Sequence, residues 1–490
     1  MKSKVLSSLL WKFMEQSGAQ AIQFLVSIIL ARLLLPEEYG KYILVFIFIS
    51  IAGVIVQSGF NIALVQKKDV DEVDFSSVFY LNLSIASFLY VILFFTAPFI
   101  AAFFDDLELS EVLRLLSITL FLGVFVSIQN TIIVRNMQFK KLFVSSLGAV
   151  LISGIVGIIL AYNYFGIWAL VWQHLTYQLM LMIVLFFTVK WRPKLLFSFK
   201  RIKTLFSFGW KLLVSGLIDV VSTNLLNLLV GKLFNPAILS FYSKGNQFPN
   251  MIVSNINGSI QSVMLPTLSK QQDNRPRMKE IVRRTIKTSS FIIFPMMVGL
   301  AVIAEPLIQL LLTEKWLPTV PFLQIFCAIY ALWPIHTANL QAINALGRSD
   351  IFLKLEILKT TVHLVILIIT IQFGIYVMAL GVLFSGILAA LFNAYPNVQL
   401  LNYSIGAQIR DIAPPLFISL IMGAVVYTIY WLDLTPLYTV VIQILVGIIT
   451  YISLAKLFQL ESFNYLASTA NEMLRKRRKT KLVVISRRNK

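Results

Sequence analysis

The feature that most limits what this chain can become is a run of roughly 20 apolar residues that recurs from one end to the other. Coiled as an α-helix, a segment of that length crosses a hydrocarbon core ~30 Å thick. In lipid every backbone N–H and C=O must be bonded within the protein, so a spanning segment is either a helix or a strand of a closed barrel. The alternating ~10-residue segments of a barrel do not occur in this sequence, and the runs read as helices. Charge agrees, since only 13% of residues are charged where soluble domains carry about 25%. Mean hydropathy is +0.82.

Hydropathy places spans near 10–34, 42–65, 76–104, 113–134, 142–162, 166–189, 208–233, 248–268, 286–312, 321–345, 353–373, 376–400, 413–431 and 438–458. The first, eighth and eleventh are polar enough to leave a count of twelve or thirteen open. Lys12, Glu15 and Gln16 interrupt the apolar run behind Lys2 and Lys4, so the N-terminus reads as an uncleaved first span rather than a signal peptide. Cys327 is the sole cysteine, which leaves neither a disulfide framework nor a cysteine metal site.

A net charge of +20 raises the question of nucleic acid, and its distribution answers it. With the N-terminus inside, Lys and Arg gather in the inner loops: Lys67 and Lys68, Arg135, Lys140 and Lys141, the 190–203 linker, the 270–287 loop, Arg348 and Lys354, and Arg410. Such a bias sets orientation, and an even span count puts both termini in the cytoplasm. The tail Arg475–Lys481 reads as an inner-leaflet contact or a solvated basic end. The excess charge describes topology, with no nucleic-acid partner.

The chain also repeats itself. Trp11-Lys12 opens the first span and Trp210-Lys211 the seventh, followed by Arg32 or Lys232, Pro36 or Pro236, and Tyr42 or Tyr242. A second pair, "YFGIWAL" from Tyr164 and "QFGIYVMAL" from Gln372, forms the turn between the fifth and sixth span of each half. The expected fold is an all-α integral membrane protein of about fourteen helices. Two pseudo-symmetric six-helix lobes occupy 1–195 and 196–405, spans 13 and 14 occupy 406–460, and a basic tail occupies 461–490. Six is even, so both halves keep one orientation, an arrangement suited to alternating access around a midplane site. Pro295 and Pro334 fall inside spans and permit bending.

Charge inside a span costs ~2.5–3.5 kcal/mol or more and tends to face a cavity or a partner. The cationic candidates are Lys12, Lys211 and Lys359. Lys12 and Lys211 could equally snorkel to lipid phosphate, and Glu356 stands three residues before Lys359, where a helix pairs charges. Glu15, Asp219 and Glu356 are candidates for coupling to an ion. His174, His336 and His363 lack ligand spacing and read as packed or interfacial. The eighth span is rich in amides, and Asn255 and Asn257, with Asn224 and Asn227 in the seventh, are expected to line a cavity. No phosphate loop, HExxH or CxxC pattern is present. Any transport would draw on a Na+ or H+ gradient, membrane potential or substrate gradient. An enzyme alternative, a membrane glycosyltransferase, would use Asp105 and Asp106 in an outside loop.

These residues resemble a known group. The W-K pair, "LARLLLPEEYGKY", "QSGFNIALVQKK" (Gln57–Lys68), "RNMQFKK" and "ALGRSDIFLK" are similar to the polysaccharide-exporting branch of the MOP superfamily, the Wzx-type O-antigen and teichuronic acid flippases. The resemblance implies a MATE-like fold of two lobes and a flippase without covalent chemistry or cofactor. Its substrate would be an undecaprenyl-diphosphate-linked oligosaccharide, moved across the bacterial plasma membrane for polysaccharide export. Partners would be membrane lipids, a polysaccharide polymerase and glycosyltransferases. A drug/cation antiporter of the same fold is the alternative.

Overall fold

The computed structural model describes residues 2–57 and 59–468, with the side chains of 2–10, Lys12, Phe13, Glu15, Gln16, Ser17 and Phe208 outside that description. Among the described residues the fold is all helix. The order is α1 Lys2–Leu33, α2 Pro36–Gln57, α3 Phe60–Gln66, α4 Glu72–Phe103, α5 Glu108–Leu116 and α6 Thr119–Arg135. There follow α7 Phe139–Tyr162, α8 Ile167–Thr188, α9 Phe199–Leu233, α10 Pro236–Ser269, α11 Arg275–Val302 and α12 Ala304–Leu312. The last six are α13 Val320–Ala331, α14 Trp333–Ala345, α15 Ser349–Thr370, α16 Ile375–Leu401, α17 Ile405–Thr428 and α18 Pro436–Leu457.

Eleven helical stretches among the described residues are long and apolar enough to cross a membrane. Of the helices with eighteen residues or more, those that fall short are α1, α10 and α15, the three whose polarity the sequence flags. A count of fourteen is compatible with this. Four spans are broken. Gly59 separates α2 from α3 with φ +70, and a Cβ there would stand 2.3 Å from the Gly209 carbonyl oxygen. Breaks at Ser117–Ile118, Ile303 and Leu332 divide the fourth, ninth and tenth spans. Pro334 lies in the first turn of α14, where its missing N–H costs nothing, while Pro295 remains inside α11.

The repeat is visible in the backbone. Pro36 opens α2 and Pro236 opens α10, each two residues after the preceding helix. The helices begin at the prolines, so Tyr42 and Tyr242 sit two turns inside rather than at the helix starts. Each corner satisfies its orphan donors differently: Glu38 accepts from the Leu35 N–H at 2.7 Å, and Asn235 Oδ1 from the Ile238 N–H at 2.7 Å. The second repeated turn carries Gly166 at φ +57 before Ile167 and Gly374 at φ +99 before Ile375, positions that favour glycine.

The chain packs as two compact units divided between Phe241 and Tyr242. In the first, α7 runs between α1 and α8 on a face of small residues, Ser145, Ala149, Ser153, Gly154 and Gly157. Without a hydrophobic drive between helices in lipid, close backbone approach of this kind supplies the packing. α9 packs in the same unit against α2, α3 and α4. In the second unit α17 lies on α11 and α18 lies on α17 and α12.

Candidate functional site

In the first unit the two proline corners meet. A Cβ on Gly40 would stand 1.7 Å from the Pro236 carbonyl oxygen, and one on Gly231 would stand 2.3 Å from Leu44 Cδ2. Ala31 and Ser240 are also fully buried. The acidic loop after α4 closes over this contact. Lys232 pairs with Asp105 at 2.8 Å and lies over the Phe103 ring, while Lys41 pairs with Asp106 at 2.8 Å and Glu108 at 3.1 Å. Asp105 and Asp106 are therefore each tied to a lysine of a different corner, not held as a free carboxylate pair. This arrangement gives both carboxylates a structural partner at the corner.

At the other end of this unit the inner-loop charges form a lattice. Asp71 and Asp74 cap α4 reciprocally, and fully buried Asp74 takes Lys67 at 2.6 Å and Arg201 at 3.3 Å. Arg201 also holds Asp71 at 2.9 Å. The N–H of Asp74, then Arg201 and Lys67, keep the Asp71 carboxyl below its usual range. Arg135 donates to the carbonyls of Leu64, Val65, Lys67 and Lys68, closing the C-terminal end of α3. Ser76 and Ser77 accept the N–H groups of Lys194 and Ser198, and Lys194 pairs with Glu72, so the 190–198 linker is strapped to α4.

Among the sequence candidates, Lys12 and Glu15 have side chains outside those described. On α9, Lys211 and Asp219 are exposed, Asn227 is half-buried, and Asn224 donates to the Val220 carbonyl at 2.7 Å. On α10, Asn255 is exposed and bonded back to the Met251 carbonyl, whereas Asn257 is buried with an unpartnered Oδ1. Lys359 is paired with Glu356 at 2.6 Å, the local i,i+3 pair. Lys211, Asp219, Asn224 and Asn227 belong to the first unit, and Asn255, Asn257, Glu356 and Lys359 to the second.

Sequence reasoning missed a buried ladder in the second unit. Asn397 on α16 donates to Asn339 Oδ1 on α14 at 2.9 Å, and Asn339 donates to Gln408 Oε1 on α17 at 2.9 Å. Gln408 donates in turn to the Tyr403 carbonyl at 3.4 Å, and the Tyr403 hydroxyl donates to Asp411 at 2.8 Å. Arg283 clamps Asp411 with both nitrogens at 2.8 and 2.9 Å, and Lys287 bridges Asp411 and Glu461. At the other end Asn393 stands 2.9 Å from His336 Nδ1. Lys244, buried on α10, is a further cation the sequence reading passed over.

An apolar groove of about 490 Å³ opens in the same unit among α10, α11, α17 and α18. Ile252, Pro295, Met296, Met422, Gly447 and Tyr451 line it. Two smaller cavities, about 260 and 180 Å³, flank His174 within the first unit. Among the described residues no group of three His, Cys, Asp or Glu side chains could hold a metal ion.

Two helical units built on repeated proline corners, with ion pairs at the helix ends and amide networks inside, define a two-lobed polytopic membrane protein. A family model described as "Polysaccharide biosynthesis protein" matches residues 29–321, and the chain belongs to that family. It is 26% identical over 309 residues to the succinoglycan biosynthesis transport protein ExoT of Rhizobium meliloti (strain 1021), covering 62% of each chain. It is 26% identical over 310 residues to the teichuronic acid biosynthesis protein TuaB of Bacillus subtilis (strain 168), covering 61% of this chain and 62% of that one. The chain thus spans under two thirds of the length of these relatives. The lipid II flippase MurJ, in an inward closed conformation, shares its fold with a TM-score of 0.73 at 18% identity, over 92% of this chain and 98% of that one.

Proposed function

We propose that this protein is a flippase that moves an undecaprenyl-diphosphate-linked oligosaccharide across the bacterial plasma membrane by alternating access, for export of a surface polysaccharide. The observation that carries the reading is the mixture of apolar and amide side chains along α10. Ile252 lines the apolar groove, Asn255 is exposed one turn further on, and Asn257 is buried with an unpartnered Oδ1. Such a helix offers a dry surface to a prenyl chain and hydrogen-bonding groups to a glycan. The diphosphate between them needs cations, and Lys211 and Lys359 are point charges of the kind that meet phosphate. The names of the relatives, which speak of succinoglycan transport and teichuronic acid biosynthesis, support a polysaccharide-linked cargo.

No covalent chemistry is required for this task. Work against a gradient would draw on Na+, H+ or membrane potential, with Asp219 and Glu356 as acids in reach of a coupling ion. The bias of Lys and Arg toward alternate loops supports cytoplasmic termini. A polymerase and glycosyltransferases are the natural partners of such cargo. Lys359→Ala is the test of the site: flipping falls while expression and thermal stability stay near wild type. A well-expressed Lys359→Ala protein with normal flipping removes that residue from the site.

A further inference from the structure

A cavity of about 180 Å³ lies inside the first unit, walled by α1, α2, α7 and α8. Three of its hydroxyls are already given to backbone carbonyls: Tyr39 to Ser27 at 3.1 Å, Ser27 to Phe24 at 2.8 Å and Ser153 to Val150 at 3.1 Å. Other polar groups on its wall are not engaged in this way. Among the described residues, no hydrogen bond reaches the Gln23 amide, the Tyr42 hydroxyl, the Gln173 amide or the His174 imidazole. Tyr42, Gln173 and His174 are half-buried. Polar groups taken out of water need partners, and the space these four share is the cavity.

The repeat supplies a comparison within the chain. Counting from Gly166 and Gly374, which open the sixth span of each half, Gln173 and His174 correspond to Gly381 and Val382, and Tyr177 and Gln178 to Ser385 and Gly386. Tyr42 corresponds to Tyr242, which is buried against the rings of Phe322 and Phe326 at 5.8 and 4.9 Å. The second half thus builds the same helices with small and apolar side chains, so helix packing does not call for the amides and the imidazole of the first. The first half also makes room for them. A Cβ on Gly157 would stand 2.9 Å from Gln173 Cβ, so α7 gives way to that side chain. The Phe46 ring is stacked on Tyr42 at 5.7 Å and perpendicular to His174 at 5.2 Å, which holds both rings at the wall.

The lining selects the chemistry of an occupant. No Lys, Arg, Asp or Glu lines this cavity or the one of about 260 Å³ that shares His174 with it. An ion placed here would lose its hydration with no counter-charge to replace it, which is strongly unfavourable. Uncharged donors and acceptors beside the negative faces of aromatic rings suit a neutral polyol. Its hydroxyls both donate and accept, and its C–H bonds can lie on a ring face. The volume is many times the ~10–15 Å³ that one water needs and below the ~300–1,000 Å³ of sites for drug-sized ligands. We propose that this cavity binds one neutral sugar ring through Gln23, Tyr42 and Gln173, with His174 at its wall, and that it excludes a uronic acid. That the ring belongs to the glycan of a transported lipid rests on the flippase reading; the sugar site stands without it.

Saturation-transfer NMR reads weak sugar binding to the full protein in lipid nanodiscs, free of glycoside detergent. The probes are the methyl glycosides of glucose, galactose and N-acetylglucosamine, with methyl glucuronide as the charged comparison. At least one neutral glycoside should receive saturation above that from empty nanodiscs, and the glucuronide should not. Tyr42→Phe and Gln173→Met keep the bulk of each side chain and remove its hydrogen bonds. Each should weaken binding about three- to tenfold with the melting temperature unchanged. If no neutral glycoside binds, or if both variants bind as the wild type does, the cavity holds only water and the site is overturned. A glucuronide bound as well as the neutral sugars overturns the selection by charge. In cells, both variants should slow clearance of the lipid-linked unit from the cytoplasmic leaflet. If loss of the chain blocks flipping but both variants flip normally, the assignment to the glycan falls and the flippase reading stands. If loss of the chain leaves flipping intact, the flippase reading falls, and the NMR result alone decides the sugar site.

Discussion

Replacing Gly40 by alanine sets two effects against each other. Alanine favours the interior of α2 over glycine by ~1 kcal/mol, so helix propensity alone predicts stabilisation. The new Cβ, however, lands 1.7 Å from the Pro236 carbonyl oxygen and 2.3 Å from its carbon, and that backbone must withdraw beyond 3.0 Å. Overpacking of a tight site costs ~1–3 kcal/mol, and here the obstacle is backbone in a capped corner, which cannot change rotamer. The net result should be ~1–2 kcal/mol against the packed corner, a factor of roughly 5–30 in population. Cys327, buried and alone, can be replaced by alanine to give a clean background, and Ser240→Cys then reports the corner because Ser240 is fully buried. Gly40→Ala should raise the thiol-labelling rate at that position by the same factor of roughly 5–30. Unchanged labelling with an unchanged or raised melting temperature would refute the packing argument.

Arg135→Lys keeps the charge but cannot reach the four carbonyls at the end of α3, and should cost about 1–2 kcal/mol, seen as a lower melting temperature with topology unchanged. Asn339→Leu strands Gln408 Oε1 in the interior and leaves Asn397 Nδ2 only the backbone carbonyl of residue 339, and should destabilise by about 1–3 kcal/mol; Asn255→Leu, on an exposed face, should stay within ~0.5 kcal/mol in the same thermal assay. Asp71 has a carboxyl held below its ordinary value of 3.8. Its contribution is therefore complete above that value and is lost as pH falls through the lower folded one. Pepsin cleavage within 190–198 should accelerate in that acid window for the wild type, while Asp71→Asn should already be loosened at neutral pH, as read by trypsin.

What could be read from the sequence was local. Span lengths, the paired corners at Pro36 and Pro236, and the polarity of α1, α10 and α15 follow from hydropathy and proline chemistry within twenty or thirty residues. The Lys359–Glu356 pair was legible for the same reason, being three residues apart. The structural ion pairs and the amide ladder were not, because their partners are distant in sequence. Arg201 and Asp74 are 127 residues apart, Arg283 and Asp411 are 128 apart, and His336 and Asn393 are 57 apart. Arg135 and Lys67 carry the positive bias of the inner loops, yet loop charge says nothing of which carbonyl or carboxylate each one meets. Breaks such as Leu332 escaped because an apolar run looks continuous whether or not its helix is.

The central claim is that the chain carries a lipid-linked oligosaccharide across the membrane, and leaflet-resolved measurement of that lipid in cells lacking the protein tests it most directly. The account predicts that complete repeat units accumulate on the cytoplasmic leaflet and clear when the wild-type chain is restored. A lipid-linked unit that reaches the outer leaflet normally, or that lacks one sugar, would contradict it.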